Sequence, residues 1–211
     1  MANYKVVIAI DPGLTGGISI LNGSSKIPEV YKMPVKSIIV NKKKKNTYDM
    51  VEIIKLFSSY RSEKILFYIE KQGVRHGEGS VSAMTIGKNY GQLLGAAYAF
   101  EFNVVEITPQ RWKKNFPELI TGEMRNIKAE MKDLRVFGKT LKDKEAKKEN
   151  KKQIDKLGRQ FKSLAKTEAR MMVSKLFPSI SDKFVKKNTD GMAESILIAL
   201  YGKNIWEGQS K

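Results

Sequence analysis

Two short stretches, "VVIAID" and "ILFYIE", constrain the fold of this chain more than anything else in it. Each is an apolar run without the alternation of a half-exposed strand, so each reads as a strand covered on both faces. Strands of that kind belong inside a sheet, and segments of helical period elsewhere in the chain must supply the cover. Both runs also stop at a carboxylate, Asp11 in one case and Glu70 in the other.

The remaining pattern fills in around them. After Asp11 a Pro-Gly turn leads to "GGISIL" (16–21), which predicts a hairpin with the first strand, and "EVYKMPV" (29–35) supplies a third strand. "VNKKKKN" (40–46) reads as an exposed basic loop, and "TYDMVEIIKLFSSY" (47–60) carries Met50, Ile53, Ile54 and Phe57 at helical spacing. A long helix is expected over 80–100, with the small residues Gly91, Gly95, Ala96 and Ala99 letting it approach the sheet. "NVVEIT" (103–108) is a further strand, and "TPQRWKKNF" opens a short helix with Pro109 near its first position. Amphipathic helices are predicted over 163–178 and 188–204, the second with Gly202 as a C-cap. This order predicts an α/β fold, a mixed central sheet flanked by helices. At 211 residues the chain is expected to form a single domain. Residues 117–160, rich in Lys, Glu and Asp and poor in large apolar side chains, read as a largely helical insertion. That charge run is either a solvated helical face or an arm lying along a nucleic-acid backbone.

Charge and composition narrow the chemistry. Lys and Arg number 39 against 22 Asp and Glu, a net charge of +17 that points to a polyanionic partner, nucleic acid before an anionic membrane surface. There is no Cys, which excludes disulfides, thiolate zinc sites and a Cys nucleophile. His76 is the only histidine, so a His-rich metal site is excluded too, and any bound metal would need mainly oxygen ligands, which suits Mg²⁺ or Mn²⁺. The early acidic residue in "MANYKVVIAID" argues against a signal peptide, and no apolar run reaches the roughly 20 residues of a membrane span. A cytoplasmic, soluble protein is the expectation.

Asp11 and Glu70 would emerge together at one sheet edge if their strands are central neighbours. Asp190 and Glu194 lie four residues apart, on one face of the last helix. Singly, each has an ordinary reading: Asp11 a turn residue, Glu70 an edge residue, Asp190 a first-turn Asp favoured by the helix dipole. As a set in a basic protein they predict clustered anionic ligands, which repel one another unless divalent cations neutralise them. Two such ions can activate water and stabilise the leaving oxygen of a phosphodiester.

With those residues in view, the chain resembles the RuvC-type Holliday junction resolvases of the RNase H-like (retroviral integrase) superfamily, over most of its length except about 117–160. "IAIDPGLTGGISIL" is similar to that family's first-strand motif and "ILFYIEKQ" to the strand carrying its catalytic Glu. "GKNYGQLLGAAYAFEFNVVEITPQRWKK", "AKTEARMMVSKLF" and "DGMAESILIAL" resemble its later elements. The resemblance implies an RNase H-like fold and a Mg²⁺- or Mn²⁺-dependent endodeoxyribonuclease with two ions per site. It implies Asp11, Glu70, Asp190 and Glu194 as ligands, and Lys113 and Lys166 as basic residues near the scissile phosphate. Arg75, His76, Arg111 and Lys114 are further candidates for DNA contact. A homodimer would nick opposed strands of a four-way junction symmetrically, leaving 5′-phosphate and 3′-hydroxyl ends, as in DNA recombination and repair.

Two departures stand out. The family's acidic pair is commonly two Asp three residues apart, and the aromatic residue that many bacterial members place after the catalytic Glu is missing from "KQGVRHGEG", where Gly73 lies near that place. With the Lys-rich insertion, these suit a phage or other viral member. Two other classes compete: a non-catalytic branched-DNA-binding protein on the same fold, and an actin-like or sugar-kinase-like ATPase whose first phosphate loop would be "DPGLTGG". The chain is short for the duplicated ATPase fold and has no second glycine-rich loop.

Overall fold

The computed structural model describes residues 5–209 except 24, 62, 75 and 76. Its main sheet contains β1 (Val6–Asp11), β2 (Gly17–Asn22), β3 (Glu29–Lys32), β6 (Ile65–Glu70) and β7 (Asn103–Ile107), in the order β3-β2-β1-β6-β7. β1, β2 and β3 are antiparallel neighbours, whereas β6 and β7 run parallel to β1. The two continuously apolar runs are thus the adjacent central strands, and the architecture is the α/β mixed sheet expected.

Each face of the sheet carries its own core. Val6, Ile8 and Ile10 point to α1 (Met50–Ser58) and α2 (Ser80–Ala99), where Phe57, Phe67 and Phe102 pack as an aromatic cluster. Val7 and Ala9 point to the other face, which α6 (Asp190–Gln209) covers. α6 is apolar nearly all round because it lies between the sheet and α5 (Lys144–Leu176). α3 (Pro109–Lys113) follows β7, and α4 (Gly122–Thr140) pairs with α5 as a helical hairpin. No helix among the described residues is long and apolar enough to cross a membrane.

Several expectations need correction. Residues 40–46 are not a loop: β4 (Val35–Val40) and β5 (Lys43–Tyr48) form a separate two-stranded hairpin, so the third strand ends at Lys32 and α1 starts only at Met50. Asn41 and Lys42 both adopt positive φ, as the tight two-residue turns of twisted hairpins require. The ladder is satisfied by backbone pairing alone, and its lysines remain in water, so side-chain polarity gave no strand signal.

The helix expected at 163–178 begins nineteen residues earlier in sequence, since α5 is one 33-residue helix running from the charged segment into the core. Gly91, Gly95 and Ala99 face away from the sheet, and the residues of α2 that pack are Leu93, Ala96 and Ala97. Gly202 caps nothing. It lies inside α6 against the ring of Tyr68, in the space a Cβ would need.

Candidate active site

Strand alternation decides which carboxylates can meet. Successive side chains of a strand point to opposite faces, so Asp11 shares the face of Val7 and Ala9, and Glu70 that of Leu66 and Tyr68. Both are therefore on the side covered by α6. β1 and β6 are parallel neighbours with Ile10 opposite Ile69, which brings the two carboxylates out side by side at the C-terminal edge of the sheet.

The third and fourth acids depend on glycine. Gly16 and Gly191 form an isolated parallel bridge that joins the β1–β2 turn to the first turn of α6. A Cβ on Gly191 would sit 2.5 Å from the Gly16 Cα and from the Thr15 carbonyl oxygen, and one on Gly17 would sit 2.6 Å from the Met192 Cα. Bare backbone on both sides lets α6 start in contact with the sheet edge, so Asp190 enters the site from its first turn and Glu194 from its second. Ser19 holds the same contact further along, its hydroxyl donating to the Ser195 carbonyl at 2.7 Å.

The four carboxylates sense one another. Burial first, and then the charges of Glu194 and Glu70, hold Asp11 well above the usual Asp range, with Lys113 relieving part of the effect. Glu70 is also raised, mainly by burial, and the Trp112 indole opposes that by donating to its Oε2 at 2.7 Å. Two lysines answer the remaining acids: Lys113 Nζ lies 2.9 Å from Glu194 Oε1, and Lys166 Nζ lies 2.6 Å from Asp190 Oδ2. Burial alone would depress the Lys113 ammonium, but Glu194, Glu70 and Asp11 together hold it above its ordinary value. Asp11 differs from the other three in having, among the described residues, neither an ion-pair partner nor a hydrogen-bond donor.

Such a set suits a hard divalent cation in its donor chemistry: four carboxylates, one of them without a partner among the described residues, and mutual repulsion that a cation would relieve. The side chains are not yet gathered round a common point, however. Among the described residues no group of three or more acidic side chains is arranged to hold a metal ion. The lysines explain this, since the Asp190 and Glu194 carboxylates are turned onto ammonium groups.

The other expected contact residues fall into two groups. Arg111 and Lys114 are exposed, and the charge of Arg111 lies beside Tyr68 instead of among the carboxylates. Arg75 and His76 lie outside the described residues. Three side chains that the motifs did not suggest also shape the site. Trp112, fully buried, fixes Glu70, and Lys113 rests 4.8 Å from the centre of its ring. Tyr48, at the base of the β4–β5 hairpin, accepts the Gly13 N–H at 2.8 Å, and burial pushes its hydroxyl up to about 12. Gln72 donates to the Pro12 carbonyl at 2.7 Å, tying the segment after Glu70 to the turn after Asp11. Only Trp112 had a sequence signal, a buried-type aromatic with a polar handle between two basic residues. Beside Glu70 an open groove of about 670 Å³ runs past Gln72, Gly73, Thr108 and Gln110.

Among solved structures the chain is similar to RuvC of Thermus thermophilus in complex with a Holliday junction substrate, with a TM-score of 0.46 and 15% identity over 93% of this chain and 91% of that one. It is also similar to a Thermus thermophilus RuvC structure, with a TM-score of 0.42 and 15% identity over 93% of this chain and 92% of that one. No protein-family model matches the chain, and no curated protein does.

Proposed function

We propose that this chain is a metal-dependent, structure-selective DNA endonuclease that resolves four-way junctions by paired symmetric nicks, working as a homodimer. The observation that carries the reading is the meeting of Asp11, Glu70, Asp190 and Glu194 at one sheet edge, in a protein of net charge +17. Acidic side chains have no reason to face a polyanion unless cations lie between them. Two Mg²⁺ or Mn²⁺ ions on these four carboxylates would supply an activated water and neutralise charge on the phosphodiester, giving 5′-phosphate and 3′-hydroxyl ends.

The protein's own residues do the rest. Asp11 and Glu70 are presented by rigid central strands, and Trp112 holds one Glu70 oxygen so that the other is free to ligate. Lys113 and Lys166 serve as counter-ions in the resting state. With Asp190 and Glu194 as metal ligands, the Lys113 and Lys166 ammonium groups would be left beside the site to complement phosphate charge. The groove next to Glu70 gives the backbone a path into the site.

The lysine pairing of Asp190 and Glu194 also favours a second reading, a branched-DNA-binding protein without catalysis. One experiment separates the two: a labelled synthetic four-way junction, a linear duplex and a flap are incubated with Mg²⁺, Mn²⁺ or EDTA. Symmetric nicks near the crossover that disappear with EDTA, with Asp11→Asn and with Glu70→Gln support the nuclease. Tight junction binding without cleavage in either metal selects the binding protein.

A further inference from the structure

α5 carries two different surfaces along one stripe. Val173 and Ala169 are buried against the core, and stepping back along the helix by three or four residues at a time leads to Lys166, then Lys162 and Arg159, and after Asp155 to Lys152, Lys148 and Lys144. That spacing keeps all of them on one face of a helix. The face is apolar where α5 lies on the domain and turns basic from Lys166 outward. The opposite face packs on α4: Leu157 is buried there, and Asn150 donates to the Leu134 carbonyl at 3.1 Å. The basic face is therefore left open by the hairpin and looks toward the side on which α5 meets the rest of the domain.

Its first member is already at the candidate site, with Lys166 Nζ 2.6 Å from Asp190 Oδ2. Among the described residues Lys144, Lys148, Arg159 and Lys162 have no ion-pair partner, while Lys152 is paired only with Glu149, one turn away at the surface. From Lys166 to Lys144 the helix rises about 33 Å, close to one turn of a DNA duplex. A solvated helical face needs no alignment with a distant acidic cluster, and it would be expected to intersperse acids that neutralise it. Here Asp155 is the single acid in the row.

We infer that this face of α5 is a phosphate-binding track, and that it holds the backbone of one duplex arm as that arm leaves the carboxylate site. The inference rests on the nucleic-acid reading proposed above and assigns the insertion a substrate contact. The track reads charge and spacing, with no base contact, so it should serve any duplex sequence. Because the helix is uninterrupted from track to core, it also sets the direction in which the arm departs.

The test is a charge-matched pair of full-length variants. The track variant carries Lys148→Gln, Lys152→Gln, Arg159→Gln and Lys162→Gln. The control carries Lys128→Gln, Lys132→Gln, Arg135→Gln and Lys139→Gln, which removes the exposed basic row of α4. Gln keeps helix propensity close to that of Lys and Arg, and circular dichroism checks the fold. Binding of a labelled four-way junction is measured in EDTA across a salt series. The track variant is expected to bind at least tenfold more weakly at about 0.1 M salt, with the slope of log K against log salt shallower by about three; the control should stay near wild type. Equal losses in both variants would reduce the effect to overall charge and overturn the inference, as would an unchanged slope in the track variant. Metal-dependent cleavage by the wild-type protein is scored separately. Absence of cleavage refutes the nuclease and leaves the track standing, whereas cleavage with an unaltered track variant does the reverse.

Discussion

Asp11→Asn is expected to inactivate the protein and to stabilise it. Among the described residues Asp11 is the carboxylate without a partner, held at a sheet edge beside Glu194 and Glu70 with Lys113 as the charge that relieves it. Asn keeps its shape and removes the charge. The effective penalty for a buried ion is several kcal/mol, and part of it is offset here by Lys113 and residual solvent, so a gain of about 2 kcal/mol is expected for the metal-free protein at neutral pH. For a chain of this length that corresponds to a Tm roughly 4–8 °C higher.

The sign with pH follows from linkage. The folded-state pKa of Asp11 is raised above its ordinary 3.8, so between those two values the native state holds a proton that the unfolded chain has lost. Stability of the metal-free wild type therefore declines as pH rises from about 4 through the raised value, then levels off. The advantage of Asn should be near zero at the acid end and full once the pH has passed the raised value. The assay is thermal unfolding of both proteins in EDTA over that range, repeated with Mg²⁺, which should lift the wild type more than the variant. A variant equal to or less stable than wild type at the alkaline end, or a difference that does not change with pH, would refute the reasoning.

Further outcomes follow from single contacts. Trp112→Phe keeps the aromatic bulk but removes the donor to Glu70, and should cost about 1.5–3 kcal/mol in urea unfolding together with most metal-dependent cleavage; Tyr98→Phe, on an exposed side chain, should change neither. Gly191→Ala puts a methyl where the Gly16 backbone lies, so a loss of about 2 kcal/mol or more is expected, with cleavage lost as α6 moves off the sheet edge. Gly91→Ala meets open space on the exposed face of α2 and should instead raise stability by about 0.5–1 kcal/mol. Lys42→Gly, at a position of positive φ in the β4–β5 turn, should stabilise by up to about 1 kcal/mol, read from the same unfolding curves.

The sequence by itself determined what local periodicity can encode. Continuous apolar runs marked β1 and β6, helical spacing marked the packed helices, and Asp11 and Glu70 fell at strand ends because the apolar run breaks there. The four-residue spacing put Asp190 and Glu194 on one face wherever α6 might lie. Nothing local stated that β1 and β6 are parallel neighbours, since that pairing joins residues more than fifty apart. Tertiary structure decided the rest of the site for the same reason. Trp112 reaches Glu70, and the lysines at 113 and 166 find Glu194 and Asp190, across separations that no motif spans. The misread segments share another cause. In β5 the lysines stay in water while the backbone makes the ladder, and the glycines of α2 face outward because Leu93 and Ala97 already fill the sheet side. Polarity and size report the environment a residue tolerates; only packing decides which face it is given.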